Sequence, residues 1–237
     1  MNSYKKTARV LGALFIFALV LEPIGTAIYE PILNASNYLA NAYPNKIRVI
    51  AGILIEFICA PAIILIPMMV FPIFNRYQPS IALGYVGFRL FEAVLFVAVD
   101  IAALYKLSLS QQYLNVGASN ISFFQILGDS IHAAIGWITL IYIIVFTLGA
   151  LLFYFLLYKS KLLPRFISVW GLFAAALLLT GALVAMFSLI PLKKVMVIFG
   201  PLVGLNELVL SIWMIVKGFN LSAITSEAGK TDIKKIK

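Results

Sequence analysis

Six stretches of this chain, at residues 8–28, 47–71, 81–105, 130–158, 166–190 and 195–216, are each apolar and long enough to cross a bilayer. The hydrocarbon layer is about 30 Å thick, and a helix rises about 1.5 Å per residue. No water is present there to satisfy a backbone N–H or C=O, so a crossing segment must close its own hydrogen bonds, and runs of this length do so as helices. The expected fold is therefore all-α: a polytopic membrane protein, a bundle of six transmembrane helices. A mean hydropathy of +1.04 and a charged fraction of 11% agree, since soluble domains carry about 25%.

The breaks between the runs are short and rich in Asn, Pro, Ser and Lys, as in 34–44, 75–79, 108–120, 159–165 and 191–194. None could fold independently. The expected organisation is one transmembrane domain, 1–217, followed by a basic tail, 218–237, too polar to build a core and expected to be disordered. Residues 1–9 carry Lys5, Lys6 and Arg9 ahead of an apolar run, as a secretory signal does. Apolar character resumes beyond Glu22 and Pro23, so an uncleaved first span is the expectation.

The formal charge of +9 does not form the basic face of a nucleic-acid reader. It reads as topology. With the N-terminus inside, the cytoplasmic segments collect 12 of the 18 basic residues: Lys5, Lys6, Arg9, Arg76, Lys159, Lys161, Arg165, Lys217, Lys230, Lys234, Lys235 and Lys237. The positive-inside rule then sets both termini in the cytoplasm. The expected location is a cell membrane, with the bilayer as the chief partner and no nucleic acid.

Six of the nine acidic residues, Glu22, Glu56, Glu92, Asp100, Asp129 and Glu207, fall within or at the rim of these runs. An Asp at the centre of a spanning helix costs about 2.5–3.5 kcal/mol on insertion scales, so such residues face a bundle interior or a wet cavity and mark functional positions. In the third run, Arg89, Glu92 and Asp100 share one helix face, and the first two are spaced to pair. In the second, Pro61 removes the donor for the Phe57 carbonyl and predicts a kink one turn below Glu56. In the fourth, Asp129 and His132 share a face and could orient one another.

Counting rise along the helices predicts Glu56, Arg89, Glu92 and Glu207 near mid-depth, with Asp100, Asp129 and His132 toward the outer leaflet. Six carboxylates face one embedded arginine and one histidine, so water, protons or a guest must make up the balance. The expectation is a polar, acid-lined cavity that binds a proton, a cation or a small polar ligand for transport or sensing.

Two alternatives stand beside it. One is an intramembrane enzyme acting on a lipid or peptide at the outer leaflet through Asp100, Asp129 and His132. The other is a structural or regulatory partner protein whose polar residues hold helices together. A single histidine excludes multi-histidine metal designs, a single cysteine, Cys59, excludes a disulfide framework, and no phosphate loop or nucleophile elbow is present. No cofactor or metal is expected.

The segment from Lys6 through Thr7, Ala8, Arg9, Val10 and Leu11 to Gly12, the entry Lys46-Ile-Arg48-Val49 to the second run, and the stretch from Leu157 to Arg165 followed by Gly171 carry a resemblance. By these the chain resembles, over nearly its whole length, a family of bacterial integral-membrane proteins, domain of unknown function 4386. The resemblance implies a several-helix membrane architecture in a bacterial plasma membrane and no established reaction.

Overall fold

The apolar runs close their backbone hydrogen bonds as helix, save for Ile58 in the second and residues 187–190 at the end of the fifth, where the helix stops at Met186. The computed structural model describes residues 2–116, 121–220 and 222, and no strand occurs among them. The helices are α1 (Asn2–Leu33), α2 (Tyr38–Asn41), α3 (Lys46–Phe57), α4 (Cys59–Phe74), α5 (Pro79–Val116), α6 (Ile121–Ser160), α7 (Arg165–Met186) and α8 (Leu192–Val216). Five helical stretches are long and apolar enough to cross a membrane: Ser3–Leu33, Lys46–Phe74, Ile121–Ser160, Arg165–Met186 and Leu192–Val216. The third expected span coincides with α5, whose 38 residues carry Arg89, Glu92, Asp100 and Lys106, and which is not among those five.

The second run is helical on either side of one residue. Ile58 separates α3 from α4, at the foot of the turn where Pro61 has no N–H for the Phe57 carbonyl. Pro67 and Pro72 lie inside α4 without breaking it.

The chain divides into two compact units. The first comprises α1 up to Leu19, Ala62–Glu92 and the described residues from Ile143 onward. Its core is aromatic: Tyr85 and Phe153 have ring centroids 5.3 Å apart, Phe74 meets both edge-on, and Phe15 lies tilted against Phe153 at 5.7 Å. Tyr154 lies flat over Gly171, where a side chain on α7 would overlap its ring. α7 packs on α8, and the Asn206 amide on α8 donates to the Ile167 carbonyl on α7 at 3.0 Å, a bond that glues two apolar helices.

The second unit comprises Val20–Pro61 and the described residues of Ala93–Tyr142. Tyr29, Ile32 and Leu33 of α1, Val49 and Ile53 of α3, and Ala103 and Leu107 of α5 form its core. Ser110 on α5 pins the α1–α3 connection, accepting from the Tyr43 amide at 2.9 Å and donating to the Leu39 carbonyl at 2.7 Å.

The first unit continues beyond α8. Gly218 takes a left-handed conformation (φ 75°), the Asn220 amide donates to the Leu162 carbonyl at 2.9 Å, and Phe219 is 4% exposed within the aromatic core. Of the expected basic tail, all but 218–220 and 222 lies outside the described residues.

Candidate functional site

The second unit builds its polar centre around two glycines. Gly25 on α1 and Gly52 on α3 bring the two backbones together: a Cβ added to Gly25 would lie 2.7 Å from the Gly52 carbonyl oxygen. Glu56, one turn after Gly52, is thereby set against the turn of α1 that carries Thr26 and Tyr29. The Thr26 hydroxyl lies 3.1 Å from the Glu56 carboxylate and 2.9 Å from the Glu22 carbonyl, so its single proton serves one or the other at a time. The Tyr29 hydroxyl faces the same carboxyl group. Glu56 is 6% exposed.

Asp100 of α5 is near enough to Glu56 for the two carboxyl groups to interact electrostatically, and both also act on Tyr29 and Cys59. It is 2% exposed, and neither of its oxygens has a hydrogen-bond partner among the described residues. A buried carboxylate in that state is costly unless a proton or a cation compensates it. Two buried carboxyl groups within electrostatic reach of one another favour a proton or cation between them.

A third buried ionisable group in this unit is Lys106. Its ammonium donates to the Leu33 carbonyl at the C-terminus of α1, lies 3.4 Å from the Asn34 side-chain oxygen and sits 4.5 Å from the Tyr38 ring centroid. A cation there satisfies an orphan carbonyl and complements the helix dipole. Asp129 and His132 are both exposed. Asp129 acts electrostatically on Lys106 and Tyr38, and among the described residues no hydrogen bond or ion pair joins it to His132.

The first unit has its own polar set. One guanidinium nitrogen of Arg89 bonds both carboxylate oxygens of Glu92, at 2.8 and 3.0 Å, three residues along α5. Arg89 is 7% and Glu92 1% exposed, so the pair carries its charge into the interior as a neutral unit. Arg89 also lies 5.9 Å from the Phe146 ring centroid and interacts electrostatically with Glu207 of α8, which is half-buried.

The structure thus brings Glu56 to Asp100 and Arg89 to Glu92, and it leaves Glu22, Asp129 and His132 exposed. Sequence reading missed Thr26, Tyr29 and the two glycines. The signal was present in part, because Gly52 and Glu56 are four apart and share a face. Lys106, just past the third apolar run in the sequence, is a further buried charge that periodicity did not single out.

The described residues contain no group of three or more His, Cys, Asp or Glu placed to hold a metal ion. The family model described as Domain of unknown function (DUF4386) matches residues 10–218. The chain belongs to the DUF4386 family. That match takes in both polar sets of this DUF4386 member, from Thr26 to Glu207. No curated protein and no solved structure matches the chain. With its apolar helices, this DUF4386 protein is a multi-pass membrane protein of uncharacterised activity.

Proposed function

We propose that Glu56 and Asp100 form a proton-exchange centre inside a six-span bundle, serving transport or sensing. The observation that carries this reading is the state of Asp100: 2% exposed, within electrostatic reach of Glu56, with both oxygens unpartnered among the described residues. Packing alone would favour an apolar side chain at such a position. A proton, the smallest of the expected guests, removes the charge of one group and with it the repulsion between the two. Thr26 and Tyr29 offer hydroxyls to Glu56, a natural relay for the same proton.

The six-span arrangement has its own support. α5 buries Arg89, Glu92, Asp100 and Lys106 while exposing Leu83, Phe91, Val94 and Ile101, the inside-out pattern of a helix that meets lipid on one side and polar partners on the other. The basic residues of the connections favour cytoplasmic termini in a plasma membrane. In this reading the neutral Arg89–Glu92 pair packs the first unit, with Glu207 as an acidic group beside it, and Asp129 and His132 are surface groups.

The test is reconstitution in liposomes under an imposed pH gradient, followed with a trapped pH dye and with infrared detection of protonated carboxyl groups. The wild type is expected to dissipate the gradient, or to show a carboxyl band that responds to pH. Glu56→Gln and Asp100→Asn, folded by circular dichroism, are expected to lose the response. Indistinguishable behaviour of wild type and both variants would overturn the proposal.

A further inference from the structure

The first unit holds a cavity of about 580 Å³ where the α6–α7 connection meets the end of α8. Its walls include Lys161, Arg165, Lys217, Trp213 and Asn220, and none of the described residues lining it is acidic. Three cations therefore share its lining, with no carboxylate beside them among the described residues. Lys161 is held in a left-handed conformation (φ 55°) that turns the connection, and Phe219, buried behind the opposite wall, fixes the chain there. The Arg165 guanidinium lies 5.3 Å from the Tyr158 ring centroid, and Trp213 meets Phe166 edge-on at 6.2 Å. Such aromatic groups favour the headgroup level of a bilayer.

A second basic cavity, lined by Ser3, Lys5, Lys6 and Arg9, lies in the same unit, and Gly218 on the wall of the first approaches Lys5. The field of one reinforces the other.

We propose that the cavity bounded by Lys161, Arg165 and Lys217 is a binding site for a phosphate group, carried by an anionic phospholipid headgroup or by a soluble phosphate ester. Arg165 offers a planar fork of donors suited to phosphate oxygens, and the two lysines supply point charges around it. Trp213 provides an apolar rim against which an acyl chain or glycerol backbone can lie. A freely solvated patch of cations has no such walls.

The test compares Lys161 with Lys159, two residues earlier in the last turn of α6. Lys161 lines the cavity; Lys159 does not and sits 5.6 Å from the Phe155 ring centroid. Retention of phosphatidylglycerol by the purified protein is measured by native mass spectrometry, and inorganic phosphate and glycerol 3-phosphate are titrated separately in neutral detergent. Lys161→Gln is expected to weaken binding by about fivefold, as befits one cation at an anionic surface, and Lys159→Gln to leave it unchanged. Lys161→Arg is expected to restore binding. Retention of the lipid alone identifies a headgroup site, and competition by the soluble phosphates identifies a site for phosphate itself. Equal effects of Lys161→Gln and Lys159→Gln, or no binding of any of the three probes, would overturn the proposal.

Discussion

Gly25 and Gly52 form the closest crossing of α1 and α3, with a Cβ on Gly52 reaching within 2.9 Å of the Gly25 carbonyl oxygen and 3.1 Å of Ile28. The backbones have no room to yield without separating. Gly52→Ala is expected to destabilise by about 1–3 kcal/mol through overpacking and to draw Glu56 away from Thr26. Gly136→Ala is the control, because nothing lies within 4 Å of a Cβ there. Unfolding by denaturant in detergent micelles measures both, and the second variant should match the wild type or exceed it.

Arg89 and Glu92 should behave as a unit. Arg89→Gln leaves the Glu92 carboxylate buried and is expected to cost about 3–5 kcal/mol, whereas the double variant Arg89→Gln, Glu92→Gln should recover most of that loss. A double-mutant cycle reads the coupling directly. Additive effects would show that other groups hold each charge.

Asp100→Leu should stabilise the protein, by about 1–4 kcal/mol, because it replaces a buried acid without hydrogen-bond partners among the described residues by an apolar side chain with the same number of heavy atoms. The same variant should abolish the pH response in liposomes. A variant that gains stability and keeps the response would separate Asp100 from the exchange centre.

Tyr38, in the connection between α1 and α3, offers a pH dependence with a defined sign. Burial of its hydroxyl, and then the Asp129 carboxylate, hold its phenol above the ordinary 10.0. An unfolded chain ionises this group first, so its contribution to folding is complete below pH 10.0 and declines as pH climbs toward the folded value. Ultraviolet difference titration of wild type against Tyr38→Phe isolates the transition. Asp129→Asn should move it back toward 10.0, by less than burial has raised it.

Much of the fold was legible because its causes are local. Apolar runs specify helices, Pro61 specifies the break at Ile58, and Arg89 with Glu92 needed only a spacing of three. The site was harder, because its partners are distant in sequence: Thr26 and Glu56 are 30 residues apart, and Lys106 reaches a carbonyl 73 residues away. Periodicity gives the face on which a residue lies but not the helix opposite it. Asp129 and His132 illustrate the same gap, for they share a face on α6, and that face is exposed.

Phe219 lies past the end of α8, yet it fills the aromatic core of the first unit. A tag or a stop codon placed right after Val216, where hydropathy alone would end the domain, would pull a plug from the interior and leave Leu162 and Met214 facing a hole.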